Sequence, residues 1–500
     1  MHEYGLFIGG ELVPAASGET FETHDPSTGE IVARVAQAGT EDVGRALTAA
    51  RRAFDEGSWA TMRPQERTRL LLRVVDRLVE AQEDIAALET ADAGHTMRTS
   101  TLFSVPYSNE YWRYLAEAAG SMSYVEPVPR HDFPTPTWEF VERTPFGVCA
   151  QIIPWNFPYM MAIWKIAPAI ATGNTVVLKP AMETPVTAME LARVIAESDI
   201  PPGVVNVVPG PGVPVGEALV ADPRVDKIAF TGSTEVGRRI MQLASAHVTY
   251  ATLELGGKSP SIILDDADLD MAIPGALWAM YLHQGQVCQA GTRLLVPSSL
   301  YDEVPARAVE LVEGMRVGSA HDFDSDLGPV LNESQFRTIE RHVELGKRDG
   351  AKLLTGGERI TGGDLDRGYF VQPTIFGEVD TSMRIAQEEI FGPVLSVIRY
   401  DSVDEAVRIA NDTIYGLAAG VWSRDIPRAL QVARRLQAGT VWVNDFHLIS
   451  PAAPFGGFKQ SGVGREQGEW GLKSYLETKT VHVSQVPAKD QKFWFGILGL

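Results

Sequence analysis

Residues 148–181 read VCAQIIPWNFPYMMAIWKIAPAIATGNTVVLKPA. Two short runs rich in Val, Ile and Leu, VCAQIIPW and NTVVLKPA, enclose a longer apolar stretch, PYMMAIWKIAPAIATG. Short apolar runs bounded by turn residues predict buried strands, and the stretch between them is long enough for a helix. The pattern then repeats: residues 187–198 predict a helix, VVNVVPG a strand and KIAFTGS another. Strands that alternate with helices make a parallel sheet, because parallel neighbours need a crossover that returns along the sheet face. Beyond Gly257 a second cycle begins, with PSIILDD, RLLVP, VLSVIRY, GLAAGVW and GTVWVND as its strands. The predicted fold class is α/β.

Working outward, the start of the chain reads as β structure, with LFIGGELV a hairpin turning at Gly-Gly and DPSTGEIVARV following it. From Thr40 to about Gly120 apolar residues recur at helical spacing, as in VGRALTAARRAF and RTRLLLRVVDRLVEAQEDIAAL. Residues 124–148 are extended and proline-rich, either a linker or a strand pair leaving the domain. The tail beyond Val483 ends in QKFWFGILGL, an apolar finish with no evident fold. A chain of 500 residues exceeds what one hydrophobic core supports, so two or three domains are expected.

The formal net charge is −20, and such a surface repels nucleic acid and anionic membranes, so neither is an expected partner. The first twenty residues lack a basic segment followed by an apolar run, which argues against secretion. The most apolar stretch, MMAIWKIAPAIA, is short and carries Lys165, so no membrane-spanning helix is predicted. Two cysteines form no disulfide framework, and a cytosolic, reducing location is the expectation. Cys149, in VCAQII, has the apolar context of a buried, inert thiol.

Four segments carry chemistry. In HQGQVCQAGTR, residues 283–293, Cys288 sits among glycines and amides: an ordinary turn, or a place where free backbone N–H groups serve a reactive sulfur. In PWNFP, residues 154–158, Asn156 is either a turn former or a rigidly held amide able to donate to an oxyanion. In LELGGKSP, residues 253–260, Glu254 is either an edge-strand carboxylate in water or a desolvated general base. In FTGSTEVGRRI, residues 230–240, Gly232 and Ser233 lead from a strand into a helix. That start is either simply capped or a seat for a pyrophosphate. No metal-ligand spacing appears.

Taken together, PWNFP, LKPA, FTGSTEVG, LELGGKSP, GQVCQAG, EEIFGP and PFGGFKQSG, in this order, resemble the NAD(P)-dependent aldehyde dehydrogenases over nearly the whole chain. The resemblance implies two Rossmann-like parallel-sheet α/β domains and a small β extension. Residues 1–122 and 146–256 would bind the dinucleotide, 257–456 would carry catalysis, and 123–145 with 472–500 would form the extension and tail. In relatives that extension joins subunits into dimers or tetramers. The resemblance makes Cys288 the nucleophile, Asn156 an oxyanion donor, Glu254 the base that activates water, and Lys165 a member of a proton path. For the cofactor it implies Ile153, Trp155, Lys179, Met182, Gly232, Ser233, Glu389 and Phe391. For the substrate mouth it implies Met161, Trp164, Leu282, Val287, Gln289, Ile449 and Phe455. His283 and His447 fall near its rim by analogy, as packed or surface histidines.

The sequence departs from the pattern at KPAMETP, where NAD-selective relatives commonly place Glu directly after KPA. Here Met182 holds that position and Glu183 follows. NAD is the expected cofactor because no new basic residue stands beside Lys179, with use of NADP left open. None of the mouth positions is Arg or Lys, so an apolar aliphatic or aromatic aldehyde is the expected substrate. The rival readings are a CoA-acylating enzyme, which generally lacks the glutamate retained here at 254, and a non-catalytic structural member of the fold.

Overall fold

In the computed structural model, which describes residues 1–499, the strand Val148–Ile152 lies inside an eight-stranded sheet. It pairs in parallel with Thr175–Lys179 on one side and Lys227–Thr231 on the other. Val205–Val207 and Tyr250–Glu254 extend the two sides, again in parallel. Along the chain the sheet first grows to one side, then returns and grows to the other. A doubly wound sheet opens a crevice where that direction reverses, here beyond the carboxyl ends of Val148–Ile152 and Lys227–Thr231. The hairpin Leu6–Ile8 and Glu11–Val13 closes one edge antiparallel. Its turn puts Gly9 and Gly10 at φ of 64° and 91°, which glycine adopts without a Cβ penalty. The other edge is Gly462–Val463, so this sheet draws a strand from well beyond residue 257.

The strands are buried on both faces. Cys149, Val176, Leu178 and Ala229 belong to the core shared with helix Pro158–Ala171. Val148, Ala150, Val177, Ile228 and Phe230 belong to the core shared with helices Thr40–Asp55 and Thr234–Ala244. Cys149 is fully buried, and desolvation pushes its thiol up to about 12.

Leu255–Ser259 carries the chain from the carboxyl end of Tyr250–Glu254 into the amino end of Pro260–Ile263, where a seven-stranded sheet begins. Its order is Lys352–Thr355, Thr374–Gly377, Val394–Tyr400, Arg293–Pro297, Pro260–Ile263, Ala418–Trp422 and Thr440–Val443. All neighbours are parallel except the first pair. The two strands before Val394–Tyr400 are short and lie among Gly and Pro, which hid them from a reading by apolar runs. The carboxyl ends of the first sheet thus meet the amino ends of the second, and the loops of both line one cleft.

The proline-rich segment forms strands, not a linker. Val125–Pro127 and Thr137–Pro145 pair antiparallel, and Leu476–Ser484 adds to the latter along its whole length. The tail, read as having no evident fold, contains the short helix Phe493–Leu498, whose Trp494 and Phe495 rings stack at 3.9 Å. Among the described residues no helix is long and apolar enough to cross a membrane.

Candidate active site

Helix Leu269–Tyr281 ends just before the Cys288 loop, and the chain then enters a sharp reversal. His283, Gln284 and Gly285 all have positive φ, 48°, 55° and 71°. Left-handed backbone at two non-glycine residues is strained and persists only where the surroundings enforce it. Past the reversal, Arg293 is buried and donates to the carbonyls of Lys258, Ile409 and Ala410, which fastens the far end of the loop. Gly257 permits the loop's approach, since a Cβ there would stand 2.3 Å from the Cys288 carbonyl oxygen.

Cys288 lines a cavity of about 270 Å³ between the two sheets. Desolvation, with Glu389 and Glu254 adding repulsion, pushes its thiol up to about 12. The N–H groups of Cys288 and Gln289 point at the sulfur and act in the opposite sense. Asn156 follows the strand Val148–Ile152 across the same cavity. Its Nδ2 donates to the Gln286 carbonyl at 2.8 Å, which leaves its second N–H free. Its backbone carbonyl accepts from His95 Nε2 at 2.6 Å.

Glu254 ends the strand Tyr250–Glu254 and is buried, so the solvated edge carboxylate is excluded. Neither of its oxygens has a hydrogen-bond partner. Desolvation, followed by the negative charge of Glu466, holds its carboxyl well above the usual range, against the opposite pull of Lys165 and Arg465. Lys165, on helix Pro158–Ala171, does not line the cavity; it is fully buried in an ion pair with Glu466. Glu466 does line the cavity, with Oε2 unpaired, and sequence reading did not find it. Nothing local marks it: it sits in a Gly-rich loop and reaches the site by pairing across the chain with Phe455.

Of the residues implied for the cofactor, Trp155, Gly232, Ser233, Glu389 and Phe391 line this cavity, whereas Ile153, Lys179 and Met182 do not. Ser233 caps helix Thr234–Ala244, its Oγ accepting from Val236 N, and a Cβ on Gly237 would stand 2.5 Å from Leu255. The helix start is therefore held tight against the crevice with its N–H groups directed outward, as a dinucleotide pyrophosphate requires. Lys179 is buried and gives two hydrogens to Pro180 and Gly210 carbonyls, leaving one for a ligand. Desolvation lowers its pKa to about 8, and the nearby charge of Glu183 opposes that. Glu389 accepts from Gly257 N at 2.9 Å and is pushed up to about 7 by desolvation. Gly256 leaves room for it, since a Cβ there would meet its carboxylate at 2.2 Å. Phe391 packs edge-on against Trp155 with ring centroids 5.2 Å apart. These residues fit a nicotinamide dinucleotide.

Met161, Trp164, Leu282, Val287, Gln289, Ile449 and Phe455 all line the cavity. Sequence reading missed Phe103, Tyr107 and Tyr111, which line it too. Their spacing of four along a helical segment was the available signal. Tyr107 and Tyr111 both direct their hydroxyls to the Ile449 carbonyl, and their rings pack edge-to-face with centroids 5.3 Å apart. His447 lines the cavity, whereas His283 lies buried against His95, ring centroids 4.0 Å apart, away from any rim. Among the described residues no three His, Cys, Asp or Glu side chains gather as a metal site.

The arrangement matches proteins of known type. Residues 12–481 fit the sequence model of the Aldehyde dehydrogenase family. The chain is 46% identical over 488 residues to the human mitochondrial aldehyde dehydrogenase, covering 97% of this chain and 92% of that one. It is 42% identical over 492 residues to betaine aldehyde dehydrogenase of Bacillus subtilis, covering 98% and 99%. The Staphylococcus aureus betaine aldehyde dehydrogenase, solved in complex with NAD+, superposes with a TM-score of 0.94 at 40% identity, covering 97% and 95%. A cysteine, an amide donor and a buried carboxylate facing a dinucleotide crevice, on a backbone shared with that NAD+ complex, place this chain in the aldehyde dehydrogenase family, as an NAD(P)-dependent aldehyde dehydrogenase.

Proposed function

We propose that the chain oxidises aldehydes with a largely apolar body to carboxylic acids, through a covalent intermediate on Cys288 that is released by water. The observation that carries this reading is the meeting of Cys288, Asn156 and Glu254 in one aromatic-walled cavity. Glu254 takes the thiol proton, and the sulfur attacks the aldehyde carbon to give a thiohemiacetal. The free N–H of Asn156 and the Cys288 backbone N–H stabilise the oxyanion. NAD, held by Lys179, Gly232, Ser233 and Glu389, would supply the hydride acceptor that oxidation to a thioester on Cys288 needs. Glu254, freed of its proton, then activates water against the thioester. Glu466, which lines the same cavity as Glu254, and its buried ion-pair partner Lys165 would carry the proton onward. Retention of Glu254 favours water over CoA as the acyl acceptor.

Lys179 would hold the adenosine ribose, Gly232 and Ser233 the pyrophosphate, and Glu389 the nicotinamide ribose. Ile153, Trp155 and Phe391 would flank the rings. Glu183, one residue past Met182, still acts electrostatically on Lys179. A carboxylate there repels the 2′-phosphate of NADP, so NAD is the preferred cofactor. The substrate walls are the faces of Tyr107, Tyr111, Trp164 and Phe455, adjacent pairs being 5.2–5.5 Å apart. Among the described residues no Arg or Lys lines the cavity to hold a carboxylate tail. The same rings favour a second reading, a quaternary ammonium aldehyde held by cation–π attraction, in keeping with the betaine aldehyde dehydrogenases among the relatives.

The test is reduced-cofactor absorbance with aliphatic and aromatic aldehydes, betaine aldehyde and succinic semialdehyde, each with NAD and NADP, beside Cys288→Ala. Turnover of apolar aldehydes without CoA, absent in Cys288→Ala, supports the first reading. Turnover of betaine aldehyde alone supports the second, and a requirement for CoA overturns the role of Glu254.

A further inference from the structure

Next to the nucleophile, the cavity wall contains an acceptor that no group in the protein satisfies. Gln289 is buried, at 5% exposure, and lines the cavity. Its amide is held by His447, which is also buried there. His447 Nε2 lies 3.0 Å from the Ala279 carbonyl oxygen, which can only accept, so Nε2 carries the hydrogen. Burial lowers the imidazole pKa to about 4, so the ring is neutral and Nδ1 offers a lone pair. Gln289 Nε2, 3.0 Å away, donates to it. The Ala279 carbonyl thus dictates the tautomer, and the tautomer dictates which end of the amide faces His447. The other end, Oε1, is buried and has no hydrogen-bond partner.

We infer that the Gln289–His447 pair is a specificity device for aldehydes carrying a hydroxyl on the α or β carbon, whose O–H donates to Gln289 Oε1. The inference rests on aldehyde oxidation at Cys288 and deepens it. Because Gln289 directly follows the nucleophile, its partner must lie close to the carbonyl. Among the described residues Thr231, Glu254 and Glu466 are the others that line the cavity with a buried, unpaired oxygen; Thr231 ends the strand that leads into Gly232 and Ser233 on the cofactor side, and the two glutamates are acidic and would draw a cationic amine. A neutral donor matches the neutral amide. The hydroxyls of Tyr107 and Tyr111 are already committed to Ile449 and do not compete. A site that leaves a buried acceptor unpaired discriminates against the analogue lacking the donor.

The experiment compares kcat/KM for propanal against 2-hydroxypropanal and butanal against 3-hydroxybutanal, in the wild-type protein, Gln289→Met and His447→Leu. The wild type is expected to favour the hydroxylated members by about tenfold or more. Gln289→Met, which keeps length and removes the acceptor, brings the ratio to near unity. His447→Leu, which frees the amide to rotate, lowers it and serves as an independent variant. Turnover of both members without a preference, or a ratio unchanged in Gln289→Met, overturns the pair's role and leaves that of Cys288 standing. Failure of the wild type to oxidise any aldehyde overturns both.

Discussion

At the scale of the residue, Cys288 carries a thiol pushed up to about 12, so at neutral pH it is protonated until a base relieves it. The reaction accordingly depends on its neighbours more than on the sulfur alone. Asn156→Ala removes one of the two proposed oxyanion donors and is expected to lower kcat by about 10²–10³ with a much smaller change in KM; steady-state kinetics with NAD in excess measures the split. Glu254 holds its proton well above the ordinary carboxylate range, so the basic form grows as pH rises. The rate of acyl release is therefore expected to climb with pH well above the ordinary carboxylate range, and stopped-flow pH profiles of Glu254→Gln should lose that rise.

Glu389 illustrates the same physics as stability. Its pKa is raised from 4.5 to about 7 in the folded protein, so the native state binds the proton more tightly than the unfolded chain. The contribution is fully present below about 4.5 and is lost as pH rises through about 7. Denaturation across that window, compared between wild type and Glu389→Gln, should show the wild type losing stability relative to the variant as pH increases.

At the scale of the element, helix Pro158–Ala171 brings Lys165 to Glu466, and strand Tyr250–Glu254 brings Glu254 beside them. Removing one member of a buried ion pair leaves the other uncompensated, at a cost of about 3–5 kcal/mol. Glu466→Gln is expected to destabilise the protein by an amount of that order in chemical denaturation. It also removes the negative charge that raises Glu254, so the pH profile of acyl release should move to lower pH. A structural ion pair with no link to Glu254 would give the first effect without the second.

At the scale of the whole molecule, the β extension leaves a long strand, Leu476–Ser484, mostly exposed on one edge. An exposed edge of this length invites pairing with another chain. Trp138, Trp494 and Ile497 are exposed on the extension and tail. We propose a homo-oligomer assembled through this edge. Analytical ultracentrifugation is expected to find dimers or tetramers, and deletion from residue 485 onward, which keeps the strand, tests whether the tail contributes.

The parallel strands were legible in the chain because a strand buried on both faces must be mostly apolar, and the centres of VCAQII, TVVLK and KIAFT are, with Gln151, Lys179 and Lys227 as buried polar exceptions. The motifs around Cys288, Asn156 and Glu254 were legible because glycine, proline and amide residues mark backbone that must approach something closely. Met182 and Glu183 could be read as a displacement, but the action of Glu183 on Lys179 appears only once the turn is folded. Glu466 and the pairing of Gln289 with His447 were decided by tertiary structure alone, whereas Tyr107 and Tyr111 showed in the sequence only as a helical spacing. Each pairs with, or faces across the cavity, a residue distant in sequence, and no local pattern records which distant residue will be its neighbour. Sequence by itself determined the alternation that builds the sheets and the small-residue backbone that shapes the Cys288 loop. The charge of Glu254, the tautomer of His447 and the walls of the cavity came only with folding, because desolvation and hydrogen-bond partnership are properties of the packed interior.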